Sequence, residues 1–333
     1  MYIKLSNRYL PTFRQTEISI FRRERIVVTR DVEEHLNQIC SGTALARTRG
    51  APLRHVLIYG KPGTGKSAVA RALGKGIPGL PYALMSGSDL APLGKHGPDE
   101  LRKILTWAKG QKRGAVLIID EAEAALGSRL RGSDGASASN QSNSNEGEGH
   151  ARDALNVLLS MTGSASCDLM LVLTTSNPQA LDEAVLDRMD ELVELKLPKM
   201  KERHRILSDS FEVRFRSATT PSSGISLSNS FRRSRDLRVE VEGTFDAKAT
   251  LDALSSDKMS GGCSGRELDK MLQSVVTSVY GDFKGDGKLT TSQWNAITTV
   301  YCKDLRRKWL LGLGNDVLVR GVGLPCLRED EKA

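Results

Sequence analysis

Eight consecutive residues, Gly60-Lys61-Pro62-Gly63-Thr64-Gly65-Lys66-Ser67, have the types and spacing to hold a polyphosphate. They match G-x-x-x-x-G-K-[ST], follow an apolar run and lead into a helix-forming stretch that opens at Ala68, the strand, loop and helix context that the motif needs. The glycines let backbone N–H groups curl around the phosphates, Lys66 neutralises the β- and γ-phosphates, and the Ser67 hydroxyl ligates Mg²⁺. Pro62, Thr64 and Ala68 complete the cradle. The plain alternative is a Gly-rich turn with no ligand.

Three further groups stand where such a loop would use them. Val116-Leu117-Ile118-Ile119 stops abruptly in Asp120-Glu121. Beside a phosphate loop, Asp120 would hold Mg²⁺ through water, and Glu121 would orient and deprotonate an attacking water. Two acids opening a helix also complement its dipole without any chemistry. Thr174-Thr175-Ser176-Asn177 ends another apolar run in a side-chain amide. Asn177 can bond the γ-phosphate or the lytic water, or it can cap the turn before Pro178. Arg188 lies between Asp187 and Asp190. It either forms a local ion pair or reaches a neighbouring subunit's nucleotide as an arginine finger.

Positioning these groups at one edge requires a sheet. Five short aliphatic runs, Val56–Tyr59, Tyr82–Met85, Ala115–Ile119, Leu169–Thr174 and Leu192–Leu197, recur between stretches of helical spacing such as Asp99–Ala108 and Asp153–Met161. Near-continuous apolar runs suit strands buried on both faces, so the expected fold is α/β, a parallel five-stranded sheet flanked by helices. In open α/β sheets ligands bind along the carboxyl edge of the strands, where the loop, Asp120-Glu121 and Asn177 would lie, with Arg188 just before the fifth strand. Beyond Pro198 the helical patterns Lys201–Phe215, Asp246–Leu254, Ser264–Tyr280 and Thr291–Leu310 predict a smaller, mostly helical subdomain.

The expected organisation is a basic N-terminal extension over 1–30, the α/β body over 31–199, the helical subdomain over 200–313 and a tail over 314–333. Residues 131–149, RGSDGASASNQSNSNEGEG, have nothing apolar larger than Ala and predict a disordered insertion. A second, looser insertion is expected over 217–240, rich in Ser and Arg. Asp282–Leu289 imitates a calcium loop, but Lys284 and Gln293 stand where two anionic ligands belong, so calcium binding is not expected.

With 333 residues, 39% of them hydrophobic, the chain can bury one main core, and no apolar run is long enough to cross a bilayer. Five widely spaced cysteines form no C-x-x-C pair and read as reduced thiols in a cell interior rather than a zinc site or disulfide framework. The net charge of +8 permits contact with a polyanion, but much of the excess sits in residues 1–30 and at Arg232-Arg233-Ser234-Arg235, which suits solvated periphery. The first 30 residues lack the apolar core of a secretory signal. They are Arg-rich like an organelle transit peptide, though Glu17, Glu24 and several β-branched residues count against that.

The order of these motifs over roughly Val28–Tyr301 resembles the AAA family of ring-forming P-loop ATPases, AAA+ proteins with a C-terminal helical lid. Within it, Tyr82–Gly94, Asp187–Glu191 and Ser264–Leu268 are similar to a mitochondrial subfamily. The resemblance implies a hexameric ring with ATP and Mg²⁺ at each subunit interface. It also implies Lys66 and Ser67 in the loop, Asp120 on Mg²⁺, Glu121 as base, Asn177 as first sensor, Arg188 as trans finger and Arg266 as a second sensor in the lid. An exposed helix arginine beside Glu267 is the plain alternative for Arg266.

Several features depart from the family's pattern. The finger region offers one arginine instead of two, Leu93-Gly94 replaces the usual aromatic of the pore-facing loop, and Lys61 replaces the usual Pro. The subfamily's upstream coiled coil and membrane anchor are not in this sequence, so the chain is expected to be an incompletely read gene, a fragment or a soluble relative. The expected function is ATP hydrolysis that remodels a protein or membrane-associated client in mitochondrial organisation, the address resting on the resemblance alone and being otherwise intracellular and soluble. A nucleotide-switched scaffold and a nucleic-acid-stimulated ATPase are the alternatives.

Overall fold

The computed structural model describes residues 19–126, 145–163, 167–217, 239–281 and 288–312. The chain divides into two compact units, Met1–Lys196 and Leu197–Ala333. In the first, strands β1 (Val56–Gly60), β2 (Tyr82–Ser86), β3 (Ala115–Asp120), β4 (Leu169–Thr175) and β5 (Glu191–Leu195) form one sheet in the order β2-β3-β4-β1-β5. Every neighbouring pair is parallel. The order follows from burial. β4, apolar as far as its two closing threonines, lies inside the sheet and is buried throughout, whereas β5, with Glu191, Glu194 and an exposed Leu192, lies at an edge. The last strand ends at Leu195, two residues short of the expected Leu197.

Alternation along the strands divides the apolar residues between two faces. Leu57, Leu117, Ile119, Leu171 and Leu173 share a core with helices α4 (Gly97–Lys109) and α6 (Asn145–Thr162) through Leu101, Leu105 and Leu158. Val56, Ile58, Val116, Ile118 and Val172 face the other way. They pack on helices α2 (Arg30–Arg49) and α3 (Lys66–Gly76) through Leu36, Ile39, Val69 and Leu73. Short helices α1 (Ile20–Arg23), α5 (Glu123–Leu126) and α7 (Glu183–Leu186) complete this unit.

Two expected boundaries need correction. Residues 19–30 are part of the α/β body rather than a detached extension. Phe21 is fully buried in the α2/α3 core, a gain of about 2–3 kcal/mol for a side chain of that size. Arg22 pairs with Glu33 at 3.0 Å and Glu24 with Lys75 at 2.8 Å. Residues 145–149, expected in the disordered insertion, are the first turn and more of α6. Extending an existing helix adds a hydrogen bond per residue without a new nucleus, so the apolar face from Ala154 onward carries the helix back through the polar stretch. Residues 1–18 and 131–144 lie outside the described residues.

The second unit contains helices α8 (Met200–Arg214), α9 (Ala247–Ser255), α10 (Asp257–Ser260), α11 (Gly265–Gly281) and α12 (Thr291–Gly312), close to the expected ranges. It also contains a small parallel sheet that the sequence does not announce, in the order β6 (Phe215–Ser217), β7 (Val239–Val241) and β8 (Lys288–Leu289). Ser217, Val239 and Glu240, expected within the second insertion, are strand residues, and 218–238 lie outside the described residues. Phe211, Phe215 and Phe245 surround the buried Trp294, with ring centroids 5.7–6.0 Å from it in edge-on contact. Residues 282–287 of the calcium-like loop and the tail from 313 also lie outside the described residues.

Among the described residues Cys40, Cys167, Cys263 and Cys302 are free thiols. Burial pushes Cys40 and Cys263 up to about 12, so they pack as protonated groups. No described helix is long and apolar enough to cross a membrane.

Candidate functional site

The loop between β1 and α3 is closed on itself by its own polar groups. Lys66 Nζ donates to the carbonyls of Gly60 at 2.8 Å and Lys61 at 3.0 Å. Thr64 donates to the same Lys61 carbonyl through Oγ1 at 2.8 Å and through its N–H at 3.4 Å. Gly60 has φ +151°, and a Cβ there would lie 2.2 Å from the Leu195 carbonyl oxygen at the end of β5, so only glycine fits. Gly63 and Gly65 also have positive φ, and Gly65 caps α3, so the free N–H groups of that helix open into the loop. Pro62 and Ala68 are exposed on its rim.

The tips of β3 and β4 come to the same edge. The register sets Ile119 beside Leu173 and Tyr59 beside Thr175, which brings Asp120, Thr174 and the start of the loop together. Ser67 Oγ donates to Asp120 Oδ1 at 2.9 Å, and Thr174 Oγ1 donates to the same oxygen. Thr174 Oγ1 in turn accepts from the Glu121 N–H at 3.2 Å, and the Thr174 carbonyl accepts from the Ala122 N–H at 2.9 Å. Glu121 has φ +53°, a left-handed backbone unusual for a residue with a side chain, and its carboxylate is exposed. A Cβ at Gly87, after β2, would lie 2.4 Å from the Glu121 carbonyl oxygen, so the missing side chain lets the two backbones approach.

Asn177 follows β4 with an exposed side chain that makes no capping bond to the turn at Pro178–Ala180. Its N–H donates to Thr175 Oγ1 at 3.0 Å. The preceding Ser176 N–H donates to Glu123 Oε1 at 3.2 Å, while Glu123 Oε2 is buried with no partner among the described residues. Thr174, Glu123 and Gly87 are the groups that sequence reasoning passed over. A D-E-x-E spacing and a hydroxyl ending an apolar run were the available signals.

One expected site residue of this unit lies apart from this set. The chain around Arg188 is fastened at the amino-terminal end of β1, where the Asp190 and Glu191 N–H groups both donate to the His55 carbonyl at 3.0 Å. That is a strand's length, ~13 Å, from the phosphate loop. Arg188 is half-buried, donates from Nη1 to the Ala184 carbonyl at 2.6 Å, and leaves Nε buried without a partner. Among the described residues it forms no ion pair with Asp187 or Asp190, so the local-pair alternative does not hold. Arg266 belongs to the second unit, exposed at the start of α11. The Glu267 carboxylate is engaged by Ser264 at 2.7 and 2.8 Å and by Trp309 at 2.9 Å rather than by Arg266. Leu93 packs partly buried against the central core.

The donor set fits Mg²⁺. A hydroxyl and a carboxylate 2.9 Å apart are hard oxygen ligands, and such an ion takes its remaining ligands from phosphates and water. Among the described residues no three His, Cys, Asp or Glu gather into a metal cluster of their own.

A family model described as "ATPase family associated with various cellular activities (AAA)" matches residues 56–197. The chain is 34% identical over 260 residues to ATPase family AAA domain-containing protein 3 of Caenorhabditis elegans, covering 78% of this chain and 39% of that protein. It is 33% identical to ATPase family AAA domain-containing protein 3A homolog of Drosophila melanogaster, with coverage of 80% and 39%, and 30% identical to ATPase family AAA domain-containing protein 3 of Bos taurus, with coverage of 88% and 45%. It therefore spans about two-fifths of the length of these relatives. Among solved structures it is similar in fold to the FIGL-1 AAA domain, with TM-score 0.58 and 17% identity over 84% of this chain and 86% of that one. The same domain in complex with ADP gives TM-score 0.60 and 16% identity over 92% and 91%.

Proposed function

The chain is a member of the AAA family of ATPases through residues 56–197, and from that premise we propose that it binds and hydrolyses ATP with Mg²⁺. The observation that carries the reading is the link from Ser67 Oγ to Asp120 Oδ1 at 2.9 Å, with the strained Glu121 next in sequence and Asn177 one strand away. The phosphate loop and the free N–H groups of α3 bind the phosphates, and Lys66 balances their charge. Ser67 and Asp120 hold Mg²⁺, which when bound neutralises charge that develops on the phosphate oxygens. Glu121 takes a proton from water as it attacks the γ-phosphorus, and Asn177 orients that water or the γ-phosphate. The products are ADP and inorganic phosphate.

Arg188 belongs to a shared site, as the finger that one subunit offers to the next in a hexameric ring. The anchoring of the following Asp190 and Glu191 at the end of β1 opposite the loop supports this. Arg266 serves as the second sensor. The work done on a protein or membrane-associated client, and the mitochondrial setting, follow the likeness to relatives of which this chain spans about two-fifths.

The nucleotide-switched scaffold is favoured by one observation. Leu93, at the place of the pore-loop aromatic, is packed on the core, which leaves no ring to grip a threaded chain. Measuring Mg²⁺-dependent ATP turnover against oligomeric state separates the two readings. Turnover that rises with assembly supports the hydrolase, and ATP-driven assembly with negligible phosphate release supports the scaffold. Absence of any Mg²⁺-dependent affinity for adenine nucleotides in the folded chain overturns both.

A further inference from the structure

The phosphate loop contains a second lysine that the motif does not require. Lys61 occupies a position that the motif leaves free. Its Nζ is buried and has no hydrogen-bond partner among the described residues. The other lysine of the loop contrasts with it, since the Lys66 ammonium is held by two carbonyls at 2.8 and 3.0 Å. A buried ammonium with no acceptor is costly, and a lysine on a four-carbon stem normally carries its head into water. The Lys61 backbone is fixed in the loop, because its carbonyl receives bonds from Thr64 and Lys66. In this motif the lysine at the place of Lys66 serves the β–γ end of a bound triphosphate. The Lys66 Nζ lies 3.0 Å from the Lys61 carbonyl, so the Lys61 backbone lies beside that end.

We propose that Lys61 is a second phosphate-binding lysine of this loop, whose ammonium takes an oxygen of the terminal phosphate and makes the site favour the triphosphate over the diphosphate. The inference rests on the nucleotide-binding reading above. An anionic oxygen supplies the acceptor that the buried cation lacks, in a charge-assisted bond stronger than a neutral one. A diphosphate ends one phosphate earlier and returns Lys61 to its unpartnered state. Loss of the cleaved phosphate therefore weakens the loop's hold through a contact that Lys66 does not make.

The test titrates the full chain, Lys61→Met and Lys61→Arg with Mg²⁺ and either a non-hydrolysable ATP analogue or ADP, followed by calorimetry, with melting of each protein in the absence of nucleotide. Lys61→Met keeps an unbranched side chain one atom shorter and removes its charge. It is expected to bind the analogue about tenfold more weakly and to change ADP affinity by less than about twofold. It should melt no lower than the unaltered chain, because a buried unpartnered charge has gone. Lys61→Arg, which retains the charge, should keep most of the preference. Equal losses for both nucleotides, or a loss for neither, overturn the assignment, and a Lys61→Met protein that melts far lower gives the residue a structural role instead. If the unaltered chain binds neither nucleotide, the parent reading falls first, a result distinct from a change in preference.

Discussion

Glu121 joins an exposed carboxylate to a backbone held at φ +53°, a left-handed conformation that costs about 1–2 kcal/mol for a residue with a Cβ. Thr174 Oγ1 receives its N–H, and the bare Cα of Gly87 makes room for its carbonyl, so the strain is maintained from two sides. Glu121→Gln retains the shape and loses the basicity. Nucleotide affinity should stay within a few-fold while phosphate release slows by at least about 100-fold, and undiminished release would remove Glu121 from the role of base. Thr174→Val leaves the Glu121 N–H without its acceptor and takes a donor from Asp120. A loss of about 1–3 kcal/mol in denaturant unfolding, with lowered turnover, is expected, and Thr174→Ser should recover both. A Thr174→Val chain with unchanged stability would show that the hydroxyl carries no such load. The gathering of Lys66, Ser67, Asp120 and Glu121 at one edge was legible in the sequence because the motif and the strand ends fix their places. Thr174 and Gly87 were not. Threonine is an ordinary strand residue, and only the register that sets β4 beside β3 reveals what its hydroxyl meets.

At the scale of elements, legibility followed length. The five long strands read clearly as apolar runs, whereas β6, β7 and β8, of two or three residues each, are too short to show a period. The segment around Phe21 was hidden by the arginines beside it, and its burial became visible only against α2 and α3. His55 shows how one residue joins three strands, again unannounced by pattern. Its Nδ1 accepts from the Leu171 N–H of β4 at 3.1 Å, its N–H donates to the Asp190 carboxylate at 2.6 Å, and its carbonyl receives the two N–H groups that lead into β5. Burial lowers the imidazole from its ordinary 6.5, and the nearby Asp190 charge offsets part of that. The unfolded chain therefore binds a proton at pH values where the folded ring does not, so this group's contribution to stability is lost as pH falls below about 6.5. The loss grows until the folded ring itself takes up the proton. Unfolding midpoints measured from pH 7 to pH 5 should decline, and His55→Asn, which offers a neutral acceptor in place of the ring, should flatten the decline. An identical slope in both proteins would assign the acid sensitivity to other groups.

For the whole molecule the deciding question is whether one chain contains a complete site. The loop, Asp120, Glu121 and Asn177 gather at the carboxyl edge of the sheet, while Arg188 is anchored near the amino-terminal end of β1 and turned back on the Ala184 carbonyl. The guanidinium there is bonded to the Ala184 carbonyl and to none of the groups gathered at the loop, and it forms no ion pair with Asp187 or Asp190 among the described residues. A finger given to a neighbour accounts for both facts, and it makes a prediction that no single-chain mechanism shares. Arg188→Ala keeps a working base and lacks the finger, and Glu121→Gln keeps the finger and lacks the base. Each alone should bind nucleotide and turn over poorly, the arginine variant slower by about 10³-fold or more if the finger stabilises the transition state to the usual extent. When the two are mixed under conditions that allow subunit exchange, some interfaces pair an intact Glu121 with an intact Arg188, and phosphate release should rise well above the sum of the separate rates. The rise should follow the formation of mixed oligomers and disappear on dilution below the assembly concentration. Rates that merely add, in mixtures shown to contain both chains in one particle, would confine the arginine to its own subunit and remove the reason for a ring.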